Sequence, residues 1–424
     1  MYTELHCHSA YSFLDGASEP AELAAAAADL GYEALALTDH DNVCGAMEFA
    51  HACTGVGVRP IVGTELTVEC GAETAHVTLL VESAAGWANL CRLITEGHAG
   101  TRPKEGREPL PPSVPFEQLE RHTEGLVCLS GCAGEGAVAG RWEAGDPGGA
   151  EALARRLLAA FGRDGFRVEL QRPLWRRDRA RNRWLASLAE GLGVPCVASG
   201  DVHAHHASRT RLQDALVSVR LGGPLDETEG RRRGNSASSL LQPAEARERF
   251  RDHPKAVAES ARLAERLRFD LTSDLGYSYP GAEDETADRR LAELCRGRLE
   301  QRYGRGATDS RGRPSSAYRA EAEGRLEEEL GLIRKLRLSG FFLLHHDMLE
   351  LAREVAAEVR GPDSARRLLP PGRGRGSSVS SLVCYLTGLS HIDPVENDLF
   401  LGRFLNEELT DAPDIDLDFP RDIR

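Results

Sequence analysis

Short apolar runs at residues 33–38, 59–63, 126–130 and 194–199 alternate with helix-period patterns at 20–30, 84–96, 150–161 and 181–192. That is a βα cadence, and it restricts this part of the chain to a barrel or a parallel sheet. Almost every run ends in residues that carry chemistry: Thr38-Asp-His-Asp41, Gly63-Thr-Glu65, Ser130-Gly-Cys132 and Ser199-Gly-Asp-Val-His203. His6-Cys-His8 follows a strand-like start, and Asp15-Gly-Ala and His76-Val-Thr-Leu-Leu80 add to the set. In a β/α barrel the strand ends converge on one mouth, so residues distant in sequence share one site. Imidazole, thiolate and carboxylate together suit Zn²⁺, Mn²⁺ or Fe²⁺. Taken singly, a histidine is more often a surface or hydrogen-bonded core residue, and a cysteine a small buried hydrophobe.

The other end of the chain has a different pattern. In Asp411-Ala-Pro-Asp-Ile-Asp-Leu-Asp-Phe-Pro-Arg-Asp422, the carboxylates Asp414, Asp416 and Asp418 alternate with Ile415 and Leu417. Period two predicts a strand with the three carboxylates on one face. Like charges so close repel unless a cation neutralises them, and an all-oxygen set suits Mg²⁺. An acidic loop is the plain alternative. Upstream, Gly372-Arg-Gly-Arg-Gly-Ser-Ser378 runs into an apolar segment ending at Tyr385. Its backbone N–H groups and hydroxyls could cradle phosphate at a helix start, with Arg373 and Arg375 supplying charge, although a solvated Gly/Arg loop has the same composition.

After about residue 207 the cadence stops. Residues 211–271 read as mostly helical with a Gly/Arg/Asp/Glu-rich loop at 222–239, and 286–338 as helical and heavily charged, broken by an exposed loop at 304–316. No uncharged apolar run is long enough to cross a bilayer, and the start lacks a basic segment followed by an apolar stretch. The ten cysteines include no C-x-x-C pair, so reduced thiols in the cytoplasm are expected. A net charge of −14 argues against nucleic-acid binding only on the whole-chain scale, because metal sites concentrate carboxylates. Of two arginine clusters, 172–183 reads as a solvated helix face, and 360–375 as the better DNA or nucleotide contact.

The N-terminal motifs resemble those of the PHP (polymerase and histidinol phosphatase) domain. The Gly372 to Ser378 loop, Gly402-Arg-Phe-Leu-Asn-Glu407 and Pro413-Asp-Ile-Asp-Leu-Asp-Phe419 resemble, in that order, the palm of bacterial C-family DNA polymerases, the class of the polymerase III α subunit. The resemblance implies an α/β chain. A distorted β/α barrel of PHP type (1–207) is followed by the PHP end, a linker and partial palm or thumb helices (208–338), then the start of a mixed α+β palm (339–424). It also implies that His6, His8, Asp15, His40, Glu65, His76, Cys132, Asp201 and His203 ligate metal, about three ions by the logic of multinuclear hydrolases. His51, His98, His122, His205 and His206 match no motif position and read as surface residues.

In the palm, the resemblance gives Asp416 and Asp418 to Mg²⁺, with Asp414 assisting, and Arg375, Gly376, Ser377 and Ser378 to the nucleotide triphosphate. Partners would be primer-template DNA, deoxynucleoside triphosphates and other replisome or translesion subunits, with no membrane. Two departures touch the loop: Arg373 stands where the family usually has Pro, and Ser380 where a second Gly is common. Gln171-Arg-Pro, Tyr277-Ser-Tyr-Pro280 and the compact linker lean toward the error-prone branch, which often has a degenerate ligand set where this one is intact. The family is longer than this chain, so the sequence reads as an N-terminal fragment. Three functions stay open: a nucleotidyltransferase, a metal-dependent phosphoesterase or 3′–5′ exonuclease of the PHP domain, and a non-catalytic PHP domain that buttresses the rest.

Overall fold

In the first part of the chain, strands form where the apolar runs lie and at three further places. In a computed structural model that describes residues 2–102, 110–275, 284–304, 315–361, 372–407, 409 and 412–421, the chain divides into units Met1–Gly276 and Tyr277–Arg424. The first unit contains β1 (Ala34–Leu37), β2 (Arg59–Cys70), β3 (Glu73–Val81), β4 (Val114–Pro115), β5 (Leu126–Leu129), β6 (Phe166–Gln171) and β7 (Cys196–Ser199). They make one sheet ordered β1-β2-β3-β5-β6-β7, with β4 paired to β2. The N-terminal segment closes the curl. Glu4 bridges to Leu35 and Cys7 to Val202, and the His8 N–H donates to the Val202 carbonyl at 2.7 Å. The result is the expected distorted β/α barrel.

The distortion comes from a hairpin. β1/β2, β5/β6 and β6/β7 are parallel, whereas β2/β3 and β3/β5 are antiparallel. Glu65 therefore lies midway along β2 and not at the end of a run. His76 joins the mouth from the start of β3, because a strand running the other way begins where its neighbours end.

The expected helices appear as Pro20–Asp29, Ala84–His98, Pro147–Gly165 and Asp178–Leu192. Proline at the first turn of two of them costs no hydrogen bond there, and Ser83 and Asp146 cap N-termini with their side chains. Beyond residue 207 the chain still belongs to the barrel unit. The helix Pro254–Arg266 inserts Leu263, Ala264 and Leu267 among Leu5, Ala34, Ala36, Ile61, Leu80, Val127, Leu129 and Val197, all buried. Each such leucine contributes about 1.5–3 kcal/mol by leaving water. Arg167 on β6 locks this helix through a buried 2.6 Å ion pair with Glu259.

Arginines 172–183 are not uniformly solvated. Arg181 is fully buried, bonded to Asp178 at 2.9 Å, to Glu143 at 2.8 Å and to the Gln171 carbonyl at 2.9 Å. It is a structural tie between helix and barrel.

In the second unit, helices Ala287–Tyr303, Ser315–Lys335, Ser339–Arg360 and Leu382–Thr387 share a core that includes Leu291, Leu326, Ile333, Phe342 and Leu386. A two-stranded antiparallel ribbon pairs β8 (Arg373–Arg375) with β9 (Asp416–Asp418). Most of the loop at 304–316, all of 277–280, the stretch 362–371 of the second arginine cluster, and Asp411 and Asp422 lie outside the described residues. Among the described residues, no helix is long and apolar enough to cross a membrane.

Candidate metal centre

All nine side chains expected at the barrel mouth converge there. His6, His8 and Asp201, then His8, His40 and His203, then His40, Glu65 and His76 form three groups whose ligand atoms lie within 4.8 Å of one another. Asp15 Oδ2 lies 3.7 Å from His203 and 3.8 Å from His40. Cys132 lines the same cavity of about 560 Å³ as Asp15, His40, Glu65, His76 and Asp201. The His8 ring stacks between His40 and His203, with centroids 4.5 and 4.2 Å away.

Backbone constraints explain two of the motifs. Gly131 adopts φ +92°, and a Cβ there would meet the His76 carbonyl at 2.1 Å, so only glycine lets Cys132 turn in beside β3. A Cβ on Gly16 would meet the Ser9 carbonyl at 1.8 Å, which is why Asp15 is followed by glycine. Asp201 itself sits at φ 50°, an uncommon conformation for a residue with a side chain, and such residues cluster at functional sites.

A second layer orients the first. Ser12 donates to Asp39 at 2.7 Å, so its oxygen accepts from His8 Nδ1 at 2.9 Å, and the His8 lone pair falls on Nε2. His6 Nδ1 lies 2.8 Å from Glu169, which likewise leaves Nε2 for the mouth. Carboxylate–histidine pairs of this kind fix the ring and raise ligand basicity. Glu169 and Ser12 were not among the residues singled out in the sequence, and Asp39 stood there only inside the Thr38 to Asp41 motif. For Glu169 a signal exists: Arg167, Glu169 and Gln171 alternate with Phe166, Val168 and Leu170, the mark of a strand with one polar face, here turned inward.

Neighbouring charges and burial together set the state of each donor. Burial opposes the charge on Glu65, but His6, His40 and His76 hold its carboxyl well below the usual range. Burial likewise opposes the charge on Asp201 and Asp15, and is outweighed. Arg233 and His203 keep Asp201 low, and His203, Arg233 and Arg220 bring Asp15 to about 2. Against burial, Glu65 lifts His76 to about 9. Burial, then His203 and His40, hold His8 well below its ordinary value. Burial, Glu65 and Asp201 push the Cys132 thiol up, so it becomes a thiolate only beside a strong cation.

The donor set fits divalent metal on one further observation. His6 Nε2, His8 Nε2, Glu65 Oε1, His76 Nδ1 and Asp201 Oδ1 are buried without a hydrogen-bond partner. An orphaned buried polar atom costs about 1–3 kcal/mol. Five at one point, of metal-ligating types and with neighbours at 3.4–3.8 Å, are explained together by cations that would accept their lone pairs.

The aspartate ribbon is simpler. β9 spans Asp416–Asp418, with Asp414 exposed before it. In register Arg375 faces Asp416 and Arg373 faces Asp418, and Arg375 Nε pairs with Asp418 at 2.7 Å. An arginine therefore already neutralises part of the acidic face. Gly376, at φ +69°, opens a 3-10 turn through Ser380. In that turn Ser377 is exposed and the buried Ser378 hydroxyl donates to the Arg375 carbonyl at 2.8 Å. The helix start just beyond is not free for phosphate, because Glu329 accepts from the Leu382 and Val383 N–H groups at 2.8 and 3.0 Å.

Comparison with known proteins fits both halves. The family described as "PHP domain" matches residues 4–173, and that described as "Bacterial DNA polymerase III alpha NTPase domain" matches 289–424. The chain thus joins a PHP-type domain to a polymerase III alpha segment. Curated relatives named "Error-prone DNA polymerase" are 36% identical over 431 residues in Symbiobacterium thermophilum, 35% over 432 in Pseudomonas syringae pv. syringae and 34% over 433 in Mycobacterium tuberculosis. These alignments cover 99–100% of this chain and 37% of each relative, so the chain spans little more than a third of their length.

Proposed function

We propose that this chain is the N-terminal portion of a cytoplasmic DNA-directed DNA polymerase of replication or translesion repair synthesis, carrying a PHP domain that holds divalent transition metal. The whole-length alignment to error-prone DNA polymerases, with both family segments in their expected order, carries this reading. Residues 1–207 would be the PHP barrel, 208–338 its end with linker and thumb helices, and 339–424 the start of the palm. The substrates would be primer-template DNA and deoxynucleoside triphosphates, and the partners other replisome or translesion subunits.

In the palm, Asp416 and Asp418 would hold Mg²⁺ with Asp414 assisting, while Arg375, Gly376, Ser377 and Ser378 would take the triphosphate. Two-metal transfer needs carboxylates that converge from more than one strand. Asp416 and Asp418 share the single strand β9. A 424-residue polypeptide is therefore expected to give no template-dependent primer extension with Mg²⁺ and four nucleotides. Extension that Asp416→Ala abolishes would overturn this account.

The barrel favours a phosphoesterase over a purely structural role, because six of its nine candidate donors line an open cavity of about 560 Å³ rather than a closed shell. Zn²⁺, Mn²⁺ or Fe²⁺ there would supply Lewis acidity and a hydroxide nucleophile. Glu169 and Ser12 keep His6 and His8 turned inward. A 3′-labelled single strand incubated with Mn²⁺ or Zn²⁺ should be shortened from its 3′ end, and Asp201→Ala should lose that activity. Equal cleavage by wild type and variant, or none with either ion, would leave the barrel a structural support.

A further inference from the structure

Two arginines reach into the donor cluster itself. Arg233 donates from Nη1 to Asp201 Oδ2 at 2.7 Å and from Nη2 to His203 Nε2 at 2.8 Å. Arg220 donates to Asp15 Oδ2 at 2.9 Å. The second Arg233 contact decides the matter. His203 Nδ1 donates to the Asp201 carbonyl at 3.0 Å, so the ring's one lone pair is on Nε2. A guanidinium has only donors to offer, and it takes that lone pair, the one a metal would need.

Seven of the nine candidate donors therefore fall into two sets, with Asp201 in both. His6 Nε2, His8 Nε2, Glu65 Oε1, His76 Nδ1 and Asp201 Oδ1 have no hydrogen-bond partner, whereas His203 Nε2, Asp201 Oδ2 and Asp15 Oδ2 each face a guanidinium. The arrangement is built in. The segment after Arg233 runs alongside the ligand-bearing residues, with the Ser238 carbonyl accepting from the His203 N–H at 2.8 Å and Ser239 bridged to Ala204. Asn235 donates to the Pro173 carbonyl at 2.9 Å, and Arg232 pairs with Asp214 at 2.9 Å. Arg233 is itself about three-quarters buried, with its side chain 25% exposed.

We infer that Arg233 is a resident cation of the centre, its guanidinium standing at the His203 corner in place of one metal ion. The barrel then binds transition metal on His6, His8, His40, Glu65, His76, Cys132 and the inner oxygen of Asp201, and His203 serves to hold Arg233. Asp201 bridges the two halves, one oxygen to the guanidinium and the other toward metal. This rests on the metal centre proposed above, and refines how many ions it holds.

The test counts metal and needs no activity. The full chain, stripped by chelation, is dialysed against Mn²⁺ and its bound metal measured by elemental analysis. Wild type should hold about two equivalents, and Arg233→Gln should gain roughly one more. Arg231→Gln, at an exposed arginine of the same cavity, should match wild type. His203→Ala is the second arm, independent of whether the Arg233 variant folds: in the wild-type background it should leave the count unchanged, and with Arg233→Gln it should remove the gain. A wild type that loses one equivalent on His203→Ala, or an Arg233→Gln protein with the wild-type count, overturns the resident cation and leaves the metal centre standing. A wild type with no metal overturns both.

Discussion

The paired substitution His8→Ala with Asp201→Ala is expected to strip most of the transition metal from the protein and to lower its melting temperature by about 5–15 °C in the presence of metal. His8 Nε2 and Asp201 Oδ1 face each other at 3.6 Å, both buried and both without a hydrogen-bond partner, so they stand at the middle of the donor set. A ligand that binds only the folded state adds about 2.7–4.1 kcal/mol at a hundred to a thousand times its dissociation constant, which sets the size of the shift. Chelation supplies the control. Stripped wild type should fall to within a few degrees of the variant, since neither protein then gains the stability that bound cations add to the folded state. Elemental analysis and a thermal melt on the same samples decide the question: metal-free wild type of undiminished stability would remove the centre from this account.

Glu329→Ala should be the most damaging single change in the second unit, at roughly 3–5 kcal/mol. The carboxylate is fully buried and accepts from the Ser381 hydroxyl at 2.8 Å, from the Leu382 and Val383 N–H groups, and from Arg325 Nε at 3.1 Å. It caps the helix Leu382–Thr387 from another helix, so its removal orphans two backbone donors and a hydroxyl at once. Glu329→Gln keeps part of this set and should cost less. All four tryptophans, Trp87, Trp142, Trp175 and Trp184, lie in the first unit. Urea unfolding followed by tryptophan fluorescence should hold steady while the far-ultraviolet circular dichroism transition moves. A change below about 1 kcal/mol in that transition would mean that water replaces the carboxylate at no great cost.

The barrel was legible wherever a run of apolar residues stopped at a polar one. Thr38 to Asp41, Ser130 to Cys132 and Ser199 to His203 end strands at the mouth, and that position follows from local chain geometry. The hairpin was less legible. Glu65 and His76 lie on antiparallel strands, and the sequence shows their residue types without showing that β3 reverses direction. β6 escaped because its alternating Arg167, Glu169 and Gln171 resemble a surface strand, whereas the closed barrel turns that face inward.

What residue order settled by itself was chemistry and cadence: which side chains can ligate, how they are spaced, and that strands and helices alternate up to about residue 207. Those are properties of neighbours along the chain, and hydrophobic period and backbone stereochemistry act at that range. Which groups satisfy one another was decided only by tertiary structure. Glu169 meets His6 across 163 residues, Arg233 meets His203 across 30, and Glu329 meets the helix at Leu382 across 53. A buried lone pair takes whichever partner the folded backbone brings within about 3 Å, and no local pattern records that choice.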